Sequence, residues 1–306
     1  MSTNLSFSVL TANVISLMLL GTLYFSNKQR MSHDRDMKFI MRMMVITAIS
    51  NVADCGVYYF DGSNGLMFRT LVFVSGSWLF LGNVLFGYTW AKFIITHMNV
   101  PFTTARKRVY QTLWIVALVL LIINLFWPLV FSNQDGVYRR GPAYIVFLVF
   151  AFFYIVDSVY LYAQCRKKIG TLKLFPVHVF LAPVIIGVVV QVLFIEIAIT
   201  WTSIAIAVAG IMTALKNELI FIDRLTGLYN REYLTYLQHE AQKKKSELVA
   251  GIMLDLNGFK RINDNYGHSE GDAALILVAD LLRKAFCEYG IVTRYAGDEF
   301  VVMLNT

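Results

Sequence analysis

Residues Arg294-Tyr295-Ala296-Gly297-Asp298-Glu299-Phe300 set two adjacent carboxylates in an Ala-Gly turn between the apolar runs Ile291–Tyr295 and Phe300–Leu304. Two apolar runs around a glycine-containing turn predict a β-hairpin with its acids at the tip. Upstream, the apolar run Leu248–Asp255 predicts a buried strand that ends on a carboxylate. It passes through Leu256-Asn257-Gly258 into the basic helix start Phe259-Lys260-Arg261-Ile262-Asn263-Asp264. A short helix over Gly258–Tyr266, closed by Gly267, and helical periodicity over 269–287 complete the segment. Strand, helix, helix, strand, strand is the order of an α+β sandwich on an antiparallel sheet. If the first strand pairs beside the hairpin, Asp255 and Asp298 meet.

The rest of the chain has a different composition. Over 306 residues, 57% are hydrophobic, 15% are charged and the mean hydropathy is +0.59, too apolar for an ordinary soluble domain. A hydrocarbon core of about 30 Å asks for roughly 20 apolar residues per helix. Seven stretches qualify: about 5–25, 39–60, 70–96, 109–131, 143–165, 177–198 and 200–216. The expectation is an all-α seven-helix membrane bundle over residues 1–216, followed by a partial α+β domain over 217–306. Alternate loops are basic: Lys28, Arg30, Arg35 and Lys38; Arg106, Lys107 and Arg108; Arg166, Lys167, Lys168 and Lys173. The intervening loops carry only Arg139 and Arg140. The positive-inside rule then puts the N-terminus outside and the C-terminal domain in the cytoplasm. The first stretch lacks a basic n-region and a small-residue cleavage site, so it reads as a span and not as a removed signal peptide.

The net charge of +7 does not point to nucleic acid. Basic residues are in excess before residue 217 and acidic ones after it, so the excess reflects membrane topology. Cys55, Cys165 and Cys287 have neither paired spacing nor a histidine cluster, which reads as reduced thiols without disulfide or zinc. Asp54, Asp157, Gln191 and Glu196 are polar groups placed where a charge costs about 3 kcal/mol unless paired or hydrated. Pairing with Arg42, Arg69 or backbone, and a ligand pocket or ion path, are both open.

The last span leads into Leu215-Lys216-Asn217-Glu218-Leu219-Ile220-Phe221-Ile222. Leu215, Leu219 and Ile222 could continue one helical stripe toward a partner chain. Next comes Asp223-Arg224-Leu225-Thr226-Gly227-Leu228-Tyr229-Asn230-Arg231. By itself this is a turn, with Gly227 ending a helix and Asn230 capping another that runs to about Lys245. The nine residues resemble the D-x-L-T-G-L-x-N-R opening of GGDEF-type diguanylate cyclase domains. Together with the strand end at Asp255 and the Ala296-Gly297-Asp298-Glu299-Phe300 signature, the resemblance covers 217–306.

That family joins two GTP molecules into cyclic di-GMP on a homodimer, each domain holding one GTP. The resemblance implies magnesium bound by the carboxylates of Asp255 and Asp298 and the backbone carbonyl of Leu256. Asp298 would take the proton of the attacking hydroxyl, with Glu299 as the neighbouring acid. Lys260 maps to a phosphate contact, and Asn263 and Asp272 map to the guanine-reading pair. Plain readings stand beside these: Lys260 as a solvated helix lysine, Asn263 as a helix-end cap, and Asp272 as part of a Ser269-Glu270-Gly271-Asp272 capping box.

Several positions depart from the family pattern. Ala296 replaces the first signature glycine, which matters only where φ must be positive. Asn257 stands where a second Asp is frequent, and Gly258 where an aromatic is. Cys287-Glu288-Tyr289-Gly290 occupies the stretch of the R-x-x-D product site, so product feedback there is expected to be absent. The family pattern also implies further helices, a strand, and a triphosphate-binding lysine and arginine beyond Thr306, and hence a longer chain. The alternative readings are a non-catalytic receptor for GTP or cyclic di-GMP, and a channel or transporter with a regulatory stub.

Overall fold

The structure, a computed structural model, describes residues 3–31, 35–63, 65–133, 137–169, 177–193, 198–244, 250–286 and 289–304. The chain divides into two compact units, one of residues 1–168 with 176–213 and the other of 169–175 with 214–306.

The first unit is helical: α1 (Thr3–Met31), α2 (Arg35–Phe60), α3 (Leu66–His97), α4 (Thr104–Ile123), α5 (Tyr144–Ile169), α6 (Val177–Leu193) and α7 (Thr200–Ile220), the last running on into the second unit. A two-stranded ribbon, β1 (Phe131–Ser132) with β2 (Arg139–Arg140), lies between α4 and α5. On α2 the buried positions Met37, Ile40, Met44, Thr47, Asn51, Asp54 and Val57 recur every three or four residues, so one stripe faces neighbouring helices. A core of Phe80, Val84, Tyr110, Phe131, Phe147 and Tyr154 joins α3, α4, α5 and the ribbon.

Among the described residues, five helical segments are long and apolar enough to cross a membrane: Ser8–Lys28, Arg35–Phe60, Leu66–His97, Tyr144–Cys165 and Thr200–Ile220. The expected fourth and sixth spans fall short of that standard. Arg106, Lys107 and Arg108 fall within the first five residues of α4, behind the Thr103 cap. The helix also stops at Ile123, short of the expected residue 131, because the buried Asn124 side chain turns the chain. Its Oδ1 accepts from the amides of Val130 (2.7 Å) and Phe131 (3.2 Å), and its Nδ2 donates to the Phe131 carbonyl (3.0 Å). Helix α6 has 17 residues, and the expected continuation over 194–197 lies outside the described residues.

The polar groups of these helices find partners other than Arg42 or Arg69 among the described residues. Asp157 takes a two-pronged ion pair from Arg106 (Nε 2.8 Å, Nη2 3.1 Å) and a hydrogen bond from the Tyr110 hydroxyl (2.6 Å). One turn separates Arg106 from Tyr110, so both reach the same carboxylate from one face of α4. Asp54 accepts from Asn13 Nδ2 at 3.0 Å, and Gln191 accepts from Thr200. Glu196 lies outside the described residues.

The second unit holds α8 (Arg231–Lys244), β3 (Gly251–Asp255), α9 (Phe259–Tyr266), α10 (His268–Phe286), β4 (Gly290–Ala296) and β5 (Glu299–Leu304). The sheet is antiparallel in the order β3-β5-β4, the α+β arrangement read from the sequence. Leu228, Leu275, Ala279, Val292, Phe300 and Val302 form its core, with Leu254, Leu256 and Phe259 packed against them. Leu248 and Val249 of the expected strand lie outside the described residues.

The junction departs from expectation. Helix α7 ends at Ile220, and Ile222 forms a β-bridge to Tyr229, so the 215/219/222 stripe does not continue as a helix. Gly227 does not end a helix. It closes a turn in which its amide donates to the Asp223 carbonyl (2.9 Å), at φ 65°, where a side chain would be strained. Asn230 does cap α8, its Oδ1 accepting from the Tyr233 amide at 3.2 Å.

Phe300 is fully buried at the centre of the second core. Phe300→Ala is expected to cost the second unit about 3–5 kcal/mol, read as loss of its unfolding transition or of protease resistance in the full chain.

Candidate active site

Register places the acids. Asp255 at the end of β3 lies opposite Glu299 at the start of β5, and directly opposed residues of an antiparallel pair share one face of the sheet. The amide of Leu256 donates to the carbonyl of Asp298 at 3.3 Å. Two segments over forty residues apart in sequence thus meet at one end of the sheet. Asp255 is exposed and Asp298 and Glu299 are half-buried. None of the three has an ion pair among the described residues.

The hairpin tip explains the Ala-Gly pair. Gly297 has φ 47°, whereas Ala296 stays outside the left-handed region, so alanine is tolerated at the first position and glycine suits the second. A register shift between Arg294 and Ala296 leaves Tyr295 as a bulge, which sharpens the local twist at the turn.

Leu256 packs against the core, and its carbonyl accepts from the Phe259 amide at 3.2 Å, leaving a second lone pair. Lys260 is exposed in the first turn of α9. The neighbouring amides of Arg261 and Ile262 donate to the Gly258 carbonyl, so this helix start offers an anion chiefly the lysine side chain. Asn263 and the start of α10 are pressed together: a methyl group at Gly271 would collide with Asn263 Oδ1. Asp272 is exposed beside that contact. Because α10 begins at His268, Ser269 lies inside the helix and not at the cap that the capping-box reading requires.

Arg294, to which the sequence alone assigns no role, is a structural link. Its Nε donates to the Gly297 carbonyl at 2.9 Å, and its Nη1 reaches Asp223 Oδ1 (3.3 Å) and Oδ2 (3.2 Å). Asp223 also accepts from the amide (2.8 Å) and hydroxyl (2.7 Å) of Thr226. Arg283 Nη2 donates to the Thr226 carbonyl at 3.0 Å, and the Arg294 amide donates to the Tyr229 carbonyl at 2.8 Å. The 223–230 turn is thereby tied to the signature turn. The signal lay in Asp223 standing three residues before Thr226, a spacing at which a capping carboxylate accepts from a backbone N–H. Burial would raise the Asp223 carboxyl, but the hydrogen bonds from Thr226 and the Arg294 guanidinium outweigh it and hold the group below its usual range.

Among the described residues no three His, Cys, Asp or Glu side chains form a metal cage. Oxygen donors alone, with one or two carboxylates, suit a hard divalent cation that completes its shell with water and phosphate.

Residues 220–306 match the family model described as diguanylate cyclase, GGDEF domain. The chain carries a GGDEF domain. The cyclic di-GMP phosphodiesterase NbdA of Pseudomonas aeruginosa is 42% identical over 86 residues, 27% of this chain and 11% of that one. The probable diguanylate cyclase DgcJ of Escherichia coli K12 is 39% identical over 85 residues, 27% and 17% of the two chains. A solved GGDEF domain of TpbB (YfiN) from Pseudomonas aeruginosa is 36% identical, covering 27% of this chain and 50% of that one, with a TM-score of 0.25. The matches span under a fifth of the length of the two curated relatives.

Arg294→Ala is expected to destabilise this GGDEF domain by about 1–3 kcal/mol, and Arg294→Lys to recover only part, since an ammonium cannot reproduce the forked geometry. Denaturant unfolding reads both. A depressed carboxyl stabilises the fold above its unfolded pKa of about 4, and that contribution disappears as pH falls through the lower folded value. Asp223→Asn is expected to remove this part of the loss of stability below about pH 4, measured as thermal midpoint against pH.

Proposed function

We propose that the GGDEF domain, paired with a second copy, condenses two GTP into cyclic di-GMP and two pyrophosphates. Residues 1–216 act in this reading as a membrane sensor bundle, and residues 217–306 as the catalytic portion. The observation that carries the proposal is the meeting of the β3 end with the hairpin tip, through the Asp255–Glu299 register and the Leu256–Asp298 backbone bond.

In each of the two condensations a 3′-hydroxyl loses its proton, its oxygen bonds to an α-phosphorus, and the bond from that phosphorus to pyrophosphate breaks. Asp298 accepts the proton, and Glu299 is the neighbouring acid, whose like charge favours the protonated form of Asp298. The Lys260 ammonium neutralises phosphate charge. Asn263, which packs against Gly271, and Asp272, the next residue along α10, accept from the N1–H and exocyclic amine of guanine in this reading. Asp255, Asp298 and the free lone pair of the Leu256 carbonyl would hold a divalent cation, magnesium in this reading, which supplies charge neutralisation at the phosphates when bound.

The five apolar helices support a multi-pass membrane protein. Two further crossings, by α4 and α6, would make seven and would place the N-terminus outside and the GGDEF domain in the cytoplasm of a cell or inner membrane. The receptor reading is not favoured, since Asp255, Asp298 and Glu299 are all present.

Purified protein given GTP and magnesium is expected to form cyclic di-GMP, and Asp298→Ala to slow it by about a thousandfold, within the range for loss of a general base. A wild-type protein that binds GTP without turnover would overturn the proposal, and undiminished turnover in the variant would remove Asp298 from its role. Added cyclic di-GMP is expected to inhibit only weakly, because Cys287-Glu288-Tyr289-Gly290 stands in place of an R-x-x-D in the stretch just before the signature. Tight inhibition in a product titration would contradict this.

A further inference from the structure

Between α1 and α2 the first unit buries a set of polar side chains. Asn13, Ser16 and Asn51 are each 0% exposed and Asp54 is 7% exposed. Asn13 lies about as far back from the α1–α2 connection as Asp54 lies beyond it, and the two are hydrogen-bonded (3.0 Å), so the helices run antiparallel in that register. One turn further along α1 and one turn back along α2, the same register sets Ser16 against Asn51.

The amide orientations decide what the cluster lacks. Asn13 Nδ2 donates to Asp54 Oδ2, and Asn51 Nδ2 donates to the Thr47 carbonyl at 2.8 Å. Thr47 spends its own hydroxyl on the Met43 carbonyl at 2.7 Å. The atoms left without a partner are all oxygens: Asn13 Oδ1, Ser16 Oγ and Asn51 Oδ1. Among the described residues no lysine, arginine or histidine bonds Asp54. Orphan buried polar groups cost about 1–3 kcal/mol each, and an uncompensated carboxylate in the bilayer costs at least as much. A donor-rich or positively charged occupant would relieve all four at once.

We propose that Asp54, Asn13, Ser16 and Asn51 form a binding site for a hard monovalent cation, with sodium as its probe, between α1 and α2. One carboxylate balances one positive charge, whereas a divalent ion would leave a net charge stranded in hydrocarbon. Neutral amide and hydroxyl oxygens are ligands that hard cations accept. Binding of the ion ties α1 to α2, so that ion occupancy stabilises their packing by linkage.

The test uses the full chain in lipid nanodiscs, with thermal unfolding followed by tryptophan fluorescence and sodium binding followed by line broadening of the sodium nucleus. At constant ionic strength, replacing choline chloride by sodium chloride is expected to raise the midpoint in a saturable way and to broaden the sodium signal. The isosteric Asp54→Asn is expected to abolish both effects. The milder Ser16→Ala is expected to retain the fold and weaken the apparent sodium affinity about tenfold, the equivalent of one lost polar contact. An equal rise in choline chloride, or sodium dependence that survives in Asp54→Asn, would overturn the site. So would a midpoint that rises with falling pH in choline chloride and does not respond to sodium, because the occupant would then be a proton on Asp54.

Discussion

The pairing of β3 with β5 is the constraint on which the C-terminal domain depends. Its register sets Leu254 against Phe300 and Ile252 against Val302, and so directs Phe300 and Val302 into the core. The same register sets Asp255 against Glu299. A slip of one residue would turn the apolar set to the opposite face and carry the acids apart. Burial of two hydrophobic side chains therefore fixes the positions of two carboxylates, and core packing and site geometry cannot vary independently.

Arg294 adds a second constraint. Strand pairing fixes where the hairpin starts, but the conformation of a two-residue tip is only weakly set by its neighbours. One guanidinium bonded both to the Gly297 carbonyl and to Asp223 draws the tip against the 223–230 turn. Arg283 holds that turn from α10. The opening signature and the acidic signature are thus halves of one rigid corner, which gives a physical reason for both to be present.

Much of this was legible in the sequence. Alternating and continuous apolar runs gave the strand, helix, helix, strand, strand order, and turn residues gave the hairpin, because both patterns are local and periodic. What could not be read were side-chain partners set by helix rotation and by turns. Arg106 reads as one of three loop cations, yet it points inward to Asp157 because Tyr110, one turn later, lies on the same face. Asn124 sits in an apolar run that looks like continuous helix, and only its bonds to Val130 and Phe131 show why the helix ends. The helical stripe through Ile222 failed for a similar reason: backbone pairing with Tyr229 prevailed over local periodicity.

The two intramembrane aspartates are compensated differently, and the difference has a cause. Asp157 has a full countercharge in Arg106 and a hydroxyl from Tyr110, so its charge is neutralised within the protein by residues one turn apart on a single helix. Asp54 has one neutral amide, and the polar atoms left without a partner on its neighbours Asn13, Ser16 and Asn51 are oxygens, none of them cationic. Neutral amides can orient a carboxylate but cannot balance it, since a buried charge needs an opposite charge as well as hydrogen bonds. The first arrangement is complete within the chain and favours a fixed contact between α4 and α5. In the proposed reading the second is completed by a bound cation, which would make the packing of α1 on α2 depend on the ions around it.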